Sequence, residues 1–312
     1  MADVLISEFM DQGVAEGLLA DFDTHWDPDL WGNRDELKAQ IASAKAIVVR
    51  NGTKVDVDLL DAAPNLKVVA RMGVGLDTID VDACKARGIE VCPSIGANAV
   101  SVAEYVIATA MVLLRGPTYF ATSDVAGGAW DRPKFAGSTE IAGRVMGIVG
   151  FGSIGQVVGE KARGMGMEVI AYEAMMPDDH PAWKDARRVE LDDLVATSDV
   201  VSLHCPKLPE TIDLIDKRQF GRMKSDAVLI NSARGGIVNE ADCAAALRSG
   251  QIAGAALDTL DVEPIKPDVG ALFQGIENLI LTPHVAGVTK ESNRRIAEVA
   301  AENVRRVMAQ EA

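Results

Sequence analysis

The stretch RVMGIVGFGSIGQVVGEKARGMGMEVIAYE, residues 144–173, decides the fold of this protein. An apolar, strand-like run leads into a G-x-G-x-x-G pattern, which is followed by apolar residues at helical spacing and then by a second strand-like run. The glycines of the pattern are Gly150, Gly152 and Gly155. This order predicts a βαβ unit with parallel strands, which is typical of a dinucleotide-binding domain.

In such a turn, each of the three positions requires glycine for a different physical reason. Gly150 allows the tight bend, Gly152 lets a pyrophosphate approach the backbone, and Gly155 lets the helix pack closely on the strand. The helix N-terminus then offers free N–H groups and a positive dipole end to the phosphates. The alternative is a structural turn in which glycine serves geometry alone.

Glu173 ends the second strand-like run, 18 residues after Gly155, which is about where an acid that binds a ribose diol is expected. A carboxylate at this position repels a 2′-phosphate, and the following Ala174 and Met175 supply no positive charge to hold one. The sequence therefore predicts NAD rather than NADP as the cofactor.

Short apolar runs alternate with helical patterns along the whole chain and fall into two groups. The first group consists of residues 3–7, 46–50, 67–71 and 89–93, and the second of 145–150, 168–173, 200–205, 227–233, 253–259 and 279–284. Strands that are apolar throughout indicate parallel sheets covered on both faces. The predicted fold class is α/β, with two Rossmann-like doubly wound parallel-sheet domains and the active site in the cleft between them.

Two helical segments set the expected domain bounds. Residues 98–116 are apolar nearly all round, which predicts a helix buried on several sides, at a domain junction or a subunit interface. Residues 290–310 are amphipathic, and one interpretation is that this helix returns to the first domain. We therefore expect a substrate domain of residues 1–97 plus 289–312 and an NAD-binding domain of residues 98–288.

The composition excludes several classes of partner. The chain has 312 residues, of which 48% are hydrophobic and 25% charged, and its formal net charge is −15. Nucleic acids and anionic membranes need a basic face, so neither is an expected partner. The acidic surface also fits a saline habitat.

Other features favour a cytoplasmic protein. The four cysteines form no C-x-x-C pair, which indicates reduced thiols rather than disulfides or a zinc site. The first residues show no signal-peptide pattern, and the longest apolar run, residues 105–114, is too short to span a bilayer.

Polar residues follow several predicted strands, at the edge where an open parallel sheet binds ligands. Arg234, Glu263 and His284 form a set that suits redox chemistry on an alcohol. Hydride transfer between a nicotinamide and an alcohol carbon needs a group that exchanges the hydroxyl proton, and a histidine held by a carboxylate does this. An arginine fork binds a substrate carboxylate.

Each member of this set also has a structural alternative. Arg234 could cap a helix end, Glu263 could be a solvated loop acid, and His284 could be a satisfied polar side chain. In addition, Asp261 competes with Glu263 for the histidine.

The other histidines, of four in the chain, are weaker candidates. His25 and His180 lie in acidic, turn-like surroundings away from the predicted sheets. His204 ends a predicted strand and could face the cofactor, but no carboxylate or arginine lies beside it in the pattern. His284, in LTPHVAG, is therefore the preferred catalytic histidine.

These motifs resemble the D-isomer-specific 2-hydroxyacid dehydrogenases over essentially the whole chain. The matching stretches are GFGSIG with Glu173, SLHCPKLPET (202–211), INSARGGIVNE (230–240), GAALDTLDVEP (254–264) and TPHVAGVT (282–289). The resemblance implies that Arg234 orients a 2-oxo acid, that Glu263 pairs with His284, and that His284 is the general acid or base. It also implies a small anionic 2-hydroxy or 2-oxo acid as substrate and a homodimer.

The resemblance assigns binding residues as well. Cofactor contacts are expected at Ser101, Gly150, Gly152, Ser153, Ile154, Gly155, Glu173, His204, Pro206, Thr211, Ala233, Asp258, Ala286 and Gly287. Substrate contacts are expected at Arg50, Asn51, Gly52, Val74 and Gly75, and no metal site is expected.

The sequence departs from the family pattern in two places, of which the first still allows a ribose diol to bind and the second leaves the shape of the pocket open. Glu173 stands where aspartate is more usual, and LDTLDVEP has leucine and aspartate where an aromatic residue and a second glutamate are common. VRNGTKV and ARMGVGLDTID are similar to the 3-phosphoglycerate dehydrogenases, whereas LISEFMD and LATSDVVSLH are closer to the sulfolactate dehydrogenases.

Both of these substrates are three-carbon hydroxy acids with a second anionic group. Arg50, Lys54 and Arg71 are candidate cations for that group, and the alternative is that they are solvated or structural. We expect a sulfolactate-type substrate first, 3-phosphoglycerate second, and a plain 2-hydroxy acid, handled by a hydroxypyruvate or glyoxylate reductase, third.

Other functions on the same fold are a dinucleotide-sensing binding protein and a formate or phosphite dehydrogenase. A sensor has no need of an intact Arg, Glu and His set, and the formate enzymes have glutamine in place of the glutamate, so Glu263 counts against formate.

Overall fold

The structure is a computed structural model that describes residues 2–310, apart from the side chain of Pro117. The chain forms two compact units. The smaller unit comprises the chain up to Asn98 together with the part from Val288 onward, and the larger unit comprises Ala99–Gly287.

Strands and helices alternate through both units, as the apolar runs predict. The strands are β1 (Val4–Ile6), β2 (Thr24–Trp26), β3 (Ala46–Val49), β4 (Val68–Arg71), β5 (Glu90–Pro93), β6 (Val145–Val149), β7 (Glu168–Tyr172), β8 (Arg187–Arg188), β9 (Val200–Leu203), β10 (Val228–Asn231), β11 (Gly254–Leu257) and β12 (Leu279–Leu281). The helices are α1 (Gln12–Leu18), α2 (Arg34–Ile41), α3 (Val57–Asp61), α4 (Val81–Ala86), α5 (Ala99–Leu114), α6 (Thr122–Ala126), α7 (Ser153–Gly164), α8 (Leu191–Thr197), α9 (Lys217–Phe220), α10 (Glu240–Ser249), α11 (Pro267–Gly270) and α12 (Lys290–Ala309).

The smaller unit contains a parallel sheet with the strand order β2-β1-β3-β4-β5. The strands β1, β3 and β4 are buried along their whole length. Apolar residues of α1 and α12 form the core on one face of this sheet, and those of α2, α3 and α4 form the core on the other. Because both faces are covered, the strands are apolar throughout rather than alternating.

The larger unit contains a parallel sheet with the order β12-β11-β10-β9-β6-β7-β8. From β6, the strands β7 and β8 are added on one side and β9 to β12 on the other, so the strand order reverses between β6 and β9. Doubly wound folds bind dinucleotides at such a switch point. The predicted α/β class with two Rossmann-like parallel sheets is confirmed.

The apolar helix α5 packs against α7 and lies over β10 and β11 within the larger unit. Val102, Ala103, Val106 and Ala110 are buried there. The larger unit itself therefore accounts for much of the apolar character of this helix.

Two strands were not predicted from the sequence, and both lie at sheet edges. The prediction that His25 lies away from the sheets is wrong, because His25 is in β2 and pairs in register with Leu5. The three residues of β2 are only partly buried and lie between acidic residues, so no apolar run marks them. The two-residue β8 consists of exposed arginines and has no apolar signal either.

Within residues 2–310, no helix is both long enough and apolar enough to cross a bilayer. The four cysteines are free thiols. Burial raises the pKa of Cys205 to about 11 and that of Cys243 to about 12, so both thiols stay protonated near pH 7.

Asp199 links three parts of the larger unit at the amino end of β9. Its Oδ2 accepts a hydrogen bond from the backbone N–H of Val145 at 2.7 Å, and its Oδ1 accepts bonds from Lys224 at 3.0 Å and from Arg144 at 3.1 Å. Burial by itself would raise the pKa of Asp199, but these hydrogen bonds and charges outweigh it and hold the pKa below its ordinary value.

We expect Asp199→Asn to lower the Tm of the larger unit by about 4–8 °C at pH 7, because two charge-assisted hydrogen bonds to a buried carboxylate are lost. Since the folded pKa is depressed, the stabilisation is complete above about pH 4 and disappears as the pH falls through the folded pKa. The Tm difference from the wild type, measured by calorimetry, should therefore shrink on acidification.

The control is Asp226→Asn, which removes an exposed carboxylate from the same Arg144. An exposed ion pair contributes little, so this variant should shift the Tm by less than about 2 °C. Equal shifts for the two variants, or a shift for Asp199→Asn that does not depend on pH, would contradict the account.

Candidate active site

The glycine loop follows β6 and leads into α7. Gly150 has a φ of +94°, and an added Cβ would lie 2.5 Å from the backbone nitrogen of Cys205. A Cβ on Gly155 would lie 2.2 Å from the carbonyl oxygen of Gly150. Both glycines are therefore required by the fold itself, through the tight turn and the close approach of helix and strand.

Gly152 differs from these two glycines. Its φ of −74° is open to any residue, and apart from its two chain neighbours no described residue lies within 4 Å of the position that a Cβ would take. The fold gives no reason for glycine here. The open space lies at the N-cap of α7, before Ser153 and Ile154, where the helix presents free N–H groups. A pyrophosphate that approaches the backbone would explain the missing side chain, so the loop fits a dinucleotide.

Glu173 lies beside this loop, directly after β7. Its Oε2 accepts a hydrogen bond from the N–H of Phe151 at 3.0 Å, and its Oε1 accepts one from the N–H of Met175 at 3.0 Å. The carboxylate is thus held in place at the glycine loop, and each oxygen keeps a lone pair for the hydroxyls of a ribose.

His204 follows β9 at the switch point, and its N–H donates to the carbonyl of Val149 at the end of β6. Burial lowers the pKa of His204 to about 3, so its imidazole is neutral near pH 7 and adds no charge to the site. The ring Nε2 is 2.8 Å from the hydroxyl of Ser202. Beyond it, the Thr211 hydroxyl closes the following loop by donating to the carbonyl of Pro206 at 2.7 Å.

The residues after β10 form a loop around Arg234. Asn231 accepts the N–H of Ala233 at 3.1 Å and donates to the carbonyl of Arg234 at 2.9 Å. A Cβ on Gly235 would lie 1.9 Å from the carbonyl oxygen of Leu260, so this loop packs directly on the one that follows β11. The glycine therefore brings the arginine loop against the chain segment that carries Glu263.

Glu263 and His284 are hydrogen-bonded, with 2.7 Å between Glu263 Oε2 and His284 Nδ1. The other oxygen of Glu263 accepts the N–H of Leu260 at 2.9 Å, which fixes the carboxylate. The rival acid, Asp261, is instead 2.8 Å from the ammonium of Lys207. The side chains of Glu263 and His284 are 38% and 42% exposed, so the pair is accessible, and the carboxylate engages Nδ1 of the imidazole rather than Nε2.

Asp258 holds the loop on which His284 lies. Its carboxylate accepts hydrogen bonds from the Thr282 hydroxyl at 2.6 Å, from the N–H of Val285 at 2.8 Å and from the N–H of Ala286 at 2.9 Å. Its own carbonyl accepts the N–H of His284, whose φ of +55° is uncommon for a side-chain-bearing residue.

Sequence reasoning assigned Asp258 to the cofactor and missed this anchoring role. Its partners lie 24 to 28 residues later in the chain, and only the pairing of β11 with β12 brings them near. The remaining assigned residues of this unit are Ser101, buried in α5, and Gly287, its last residue.

The residues assigned to substrate in the smaller unit follow the carboxyl ends of β3 and β4. Arg50 donates to Asn293 Oδ1 at 2.9 Å, and burial lowers its pKa against the opposing effect of Glu8. Asn51 and Gly52 follow it, and Val74 and Gly75 lie in the loop after β4.

Arg71 makes structural contacts in the smaller unit, which favour the structural alternative for this residue. Its buried guanidinium donates to the carbonyls of Gly75 at 2.9 Å and of Met72, and to Asn51 Oδ1 at 2.7 Å. Arg71 therefore ties the two loops together. Lys54 is exposed.

We expect Gly152→Ala and Gly155→Ala to separate ligand binding from folding. Gly155→Ala forces a backbone clash and should lower the Tm of the free protein by at least about 4 °C. Gly152→Ala should leave that Tm within about 2 °C of wild type but weaken the binding of NADH on the order of 10-fold or more, because the added methyl occupies the space for the phosphates. Thermal unfolding with and without NADH, together with calorimetric titration, measures both effects. Unchanged NADH affinity in Gly152→Ala would count against a phosphate site here.

Comparison with known proteins agrees with this geometry. The family model for the D-isomer specific 2-hydroxyacid dehydrogenase, NAD binding domain, matches residues 107–286. The chain is 44% identical over 309 residues to the (S)-sulfolactate dehydrogenase of Chromohalobacter salexigens, with 99% of each chain covered. It is 39% identical over 272 residues to the D-3-phosphoglycerate dehydrogenase of Archaeoglobus fulgidus, which covers 87% of this chain but 51% of that enzyme.

Comparison with a solved structure also indicates a 2-hydroxyacid dehydrogenase. The D-lactate dehydrogenase from Aquifex aeolicus, complexed with NAD and lactic acid, superposes with a TM-score of 0.83 at 26% identity, covering 99% of this chain and 96% of that one. The expected family, cofactor and enzyme class are confirmed: the chain belongs to the D-isomer-specific 2-hydroxyacid dehydrogenases and is an NAD-dependent enzyme of that family.

Proposed function

We propose that this enzyme interconverts a three-carbon 2-hydroxy acid that carries a second anionic group and the corresponding 2-oxo acid, with sulfolactate and sulfopyruvate as the preferred pair. The hydrogen bond between Glu263 and His284 carries the assignment of the redox chemistry, and the segment that holds Glu263 also packs against the Arg234 loop. The choice of substrate rests on the 44% identity to a sulfolactate dehydrogenase over nearly the full length of both chains.

The proton chemistry follows from the hydrogen bonds of the pair. When the hydroxy acid is oxidised, His284 Nε2 takes the hydroxyl proton as the hydride leaves C2, and Glu263 holds the Nδ1–H and compensates the imidazolium charge. When the oxo acid is reduced, the same nitrogen returns the proton to the carbonyl oxygen. Arg234 would bind the substrate carboxylate with its planar guanidinium. Bound NAD supplies the hydride acceptor.

The binding contacts remain as the sequence assigns them. We assign the cofactor contacts to Ser101, Gly150, Gly152, Ser153, Ile154, Gly155, Glu173, His204, Pro206, Thr211, Ala233, Asp258, Ala286 and Gly287. We assign a second set of substrate contacts to Arg50, Asn51, Gly52, Val74 and Gly75. Since Arg71 is engaged by backbone carbonyls, Arg50 is the preferred partner of the second anionic group.

A second candidate substrate is 3-phosphoglycerate, because the Archaeoglobus fulgidus relative is named for it. A hydroxypyruvate reductase of Thermotoga maritima, 36% identical over 264 residues, favours a substrate without the second anion as the third candidate. A dinucleotide sensor would not need the aligned Glu263 and His284 pair.

We also propose that the enzyme is a cytoplasmic homodimer. The support for a dimer is a group of exposed apolar side chains in the segment after α5, namely Tyr119, Phe120, Val125 and Trp130. Exposed apolar groups of this kind are typical of subunit interfaces.

The substrate proposal is tested by following NADH consumption with sulfopyruvate, phosphohydroxypyruvate, hydroxypyruvate, pyruvate and glyoxylate, in wild type and Arg50→Gln. We expect sulfopyruvate to be turned over best. Arg50→Gln should raise the KM for sulfopyruvate on the order of 10- to 100-fold, since a charge-assisted hydrogen bond is lost, and should change the KM for pyruvate much less. Arg294→Gln is the control, because Arg294 is an exposed arginine that forms an ion pair with Glu298 on its own helix. Equal loss on both substrates would remove Arg50 from the recognition of the second anion.

The catalytic proposal is tested with His284→Gln, Glu263→Gln and Asp261→Asn. Loss of the histidine should lower kcat on the order of 100- to 10,000-fold, the range for general acid–base catalysis, while NADH still binds. Glu263→Gln should also lower kcat substantially, since the imidazolium loses its carboxylate. Asp261→Asn should stay within about 3-fold of wild type, because Asp261 faces Lys207 and does not touch the histidine. A kcat in Asp261→Asn as low as in Glu263→Gln would show that the pair acts only through loop structure.

A further inference from the structure

The smaller sheet has its own topological switch point, between β1 and β3. The order β2-β1-β3-β4-β5 places the second strand on one side of the first and the third strand on the other. In open parallel sheets, ligands bind beyond the carboxyl ends of the strands at such a point. Two segments emerge there: Ser7 and Glu8 after β1, and residues 50–53 after β3.

The carboxylate of Glu8 occupies the backbone amides of that second segment. Oε1 accepts the N–H of Arg50 at 2.6 Å and that of Thr53 at 3.0 Å, and Oε2 accepts the N–H of Gly52 at 2.8 Å and that of Asn51 at 3.0 Å. Glu8 is 7% exposed. Successive N–H groups that converge in this way form an anion-binding nest, and here the anion is part of the chain itself.

Neighbouring contacts hold the same segment from other sides. The hydroxyls of Ser7 and Thr53 are 2.8 Å apart. A Cβ on Gly52 would lie 2.6 Å from a ring atom of Trp31, so the indole lies directly on the backbone. The segment is therefore held by Glu8, Ser7 and Trp31.

We propose that Glu8 is a positioning residue for the substrate: as a built-in anion on the amides of residues 50–53, it fixes the segment that carries Arg50 and Asn51. The proposal rests on the proposed function, since it assigns the recognition of the substrate's second anionic group to this segment. The four amides bind no second anion while Glu8 fills them, so within this segment the side chains of Arg50 and Asn51 are the donors left for the anionic group.

The side chains of the segment are also oriented for this task. Arg71 donates to Asn51 Oδ1 at 2.7 Å, which fixes the amide and leaves its NH2 group as a donor for a ligand. Asn293 accepts from Arg50 Nη2 at 2.9 Å, which restricts the guanidinium. Glu8 fixes the backbone that carries the side chains of Arg50 and Asn51. It is buried and its oxygens are occupied by the four amides, so it does not contact the substrate itself.

A purely structural role would give a different result from a positioning role. If Glu8 only stabilised the smaller unit, its loss would lower the Tm, while the folded variant would bind substrate normally below its Tm. If Glu8 positions the segment, its loss raises the KM for the 2-oxo acid and leaves the KM for NADH, whose loop lies in the larger unit, unchanged.

The test compares Glu8→Ala, Glu8→Gln and the control Glu16→Ala, which alters an exposed glutamate of α1 whose carboxylate accepts a hydrogen bond from Gln12. Steady-state kinetics with sulfopyruvate and NADH give KM and kcat. We expect Glu8→Ala and Glu8→Gln to raise the KM for sulfopyruvate on the order of 10-fold or more, with kcat and the KM for NADH within about 3-fold of wild type. Glutamine is a sensitive variant because its NH2 group would face N–H donors.

Chemical rescue makes the test specific. Sodium acetate can enter the space left in Glu8→Ala and accept the four amides, so it should lower the KM of this variant, whereas sodium chloride at equal ionic strength should not. Acetate should not lower the KM of the wild type or of Glu16→Ala. An unchanged KM in Glu8→Gln, or a raised KM in Glu8→Ala that acetate does not lower, would overturn the proposal.

Hydrogen exchange keeps this result separate from the proposed function. In the substrate-free protein, the amides of residues 50–53 should exchange faster in Glu8→Ala than in the wild type and should be protected again by acetate. If the wild type turns over none of the five oxo acids, the proposed function fails, whatever the exchange shows. If the wild type is active and these amides exchange equally in wild type and variant, the role of Glu8 fails alone.

Discussion

The parallel register of β10, β11 and β12 is the constraint on which the larger unit's candidate site depends. Asn231 is paired with Leu257, and Leu257 with Leu281, so the segments that follow these three strands leave the sheet at one edge. Two further contacts turn this proximity into a defined arrangement. Gly235 lets the arginine loop lie against the carbonyl of Leu260, and the Asp258 carboxylate holds the loop of His284 through a hydroxyl and two amides. The 2.7 Å hydrogen bond between Glu263 and His284 is the consequence.

In both units, a glutamate carboxylate accepts hydrogen bonds from backbone amides at the switch point of the sheet, but the two arrangements differ. In the larger unit, Glu173 accepts an amide of the glycine loop, while the space above Gly152 stays open for a phosphate. In the smaller unit, the amides that follow β3 are occupied by the carboxylate of Glu8. The same property of a parallel sheet, converging N–H groups beyond its strands, thus serves a ligand in one unit and the chain's own carboxylate in the other. This difference fits a cofactor site at the first loop and, at the second, the proposed recognition of the substrate's second anion by the side chains of Arg50 and Asn51.

The sequence predicts the parts that rest on local pattern. The glycine loop has its own spacing, the apolar runs mark the buried strands, and Arg234, Glu263 and His284 each follow a predicted strand. Features that depend on distant partners are not visible in this way. In the sequence, nothing distinguishes Asp258 from other aspartates at strand ends, because its hydrogen-bond partners lie near residue 286. Likewise, Glu8 accepts hydrogen bonds from amides more than 40 residues further along the chain. The strand β2 is not predicted, because its three partly buried residues lie between acidic residues and form no apolar run. Which of Glu263 and Asp261 bonds to His284 cannot be read from the sequence, because the two acids are only two positions apart and the answer depends on side-chain geometry.

The central claim is that a hydride moves between NAD and C2 of a small hydroxy acid while His284 handles the proton. The most direct measurement is to reduce sulfopyruvate with NADH that carries deuterium on one face of C4, separately for each face, and to examine the product by proton NMR. The account predicts that deuterium from one of the two labelled cofactors appears fully at C2 of a single product, and that none is exchanged with water. A product with hydrogen from solvent at C2, or no product from either labelled cofactor, would contradict it.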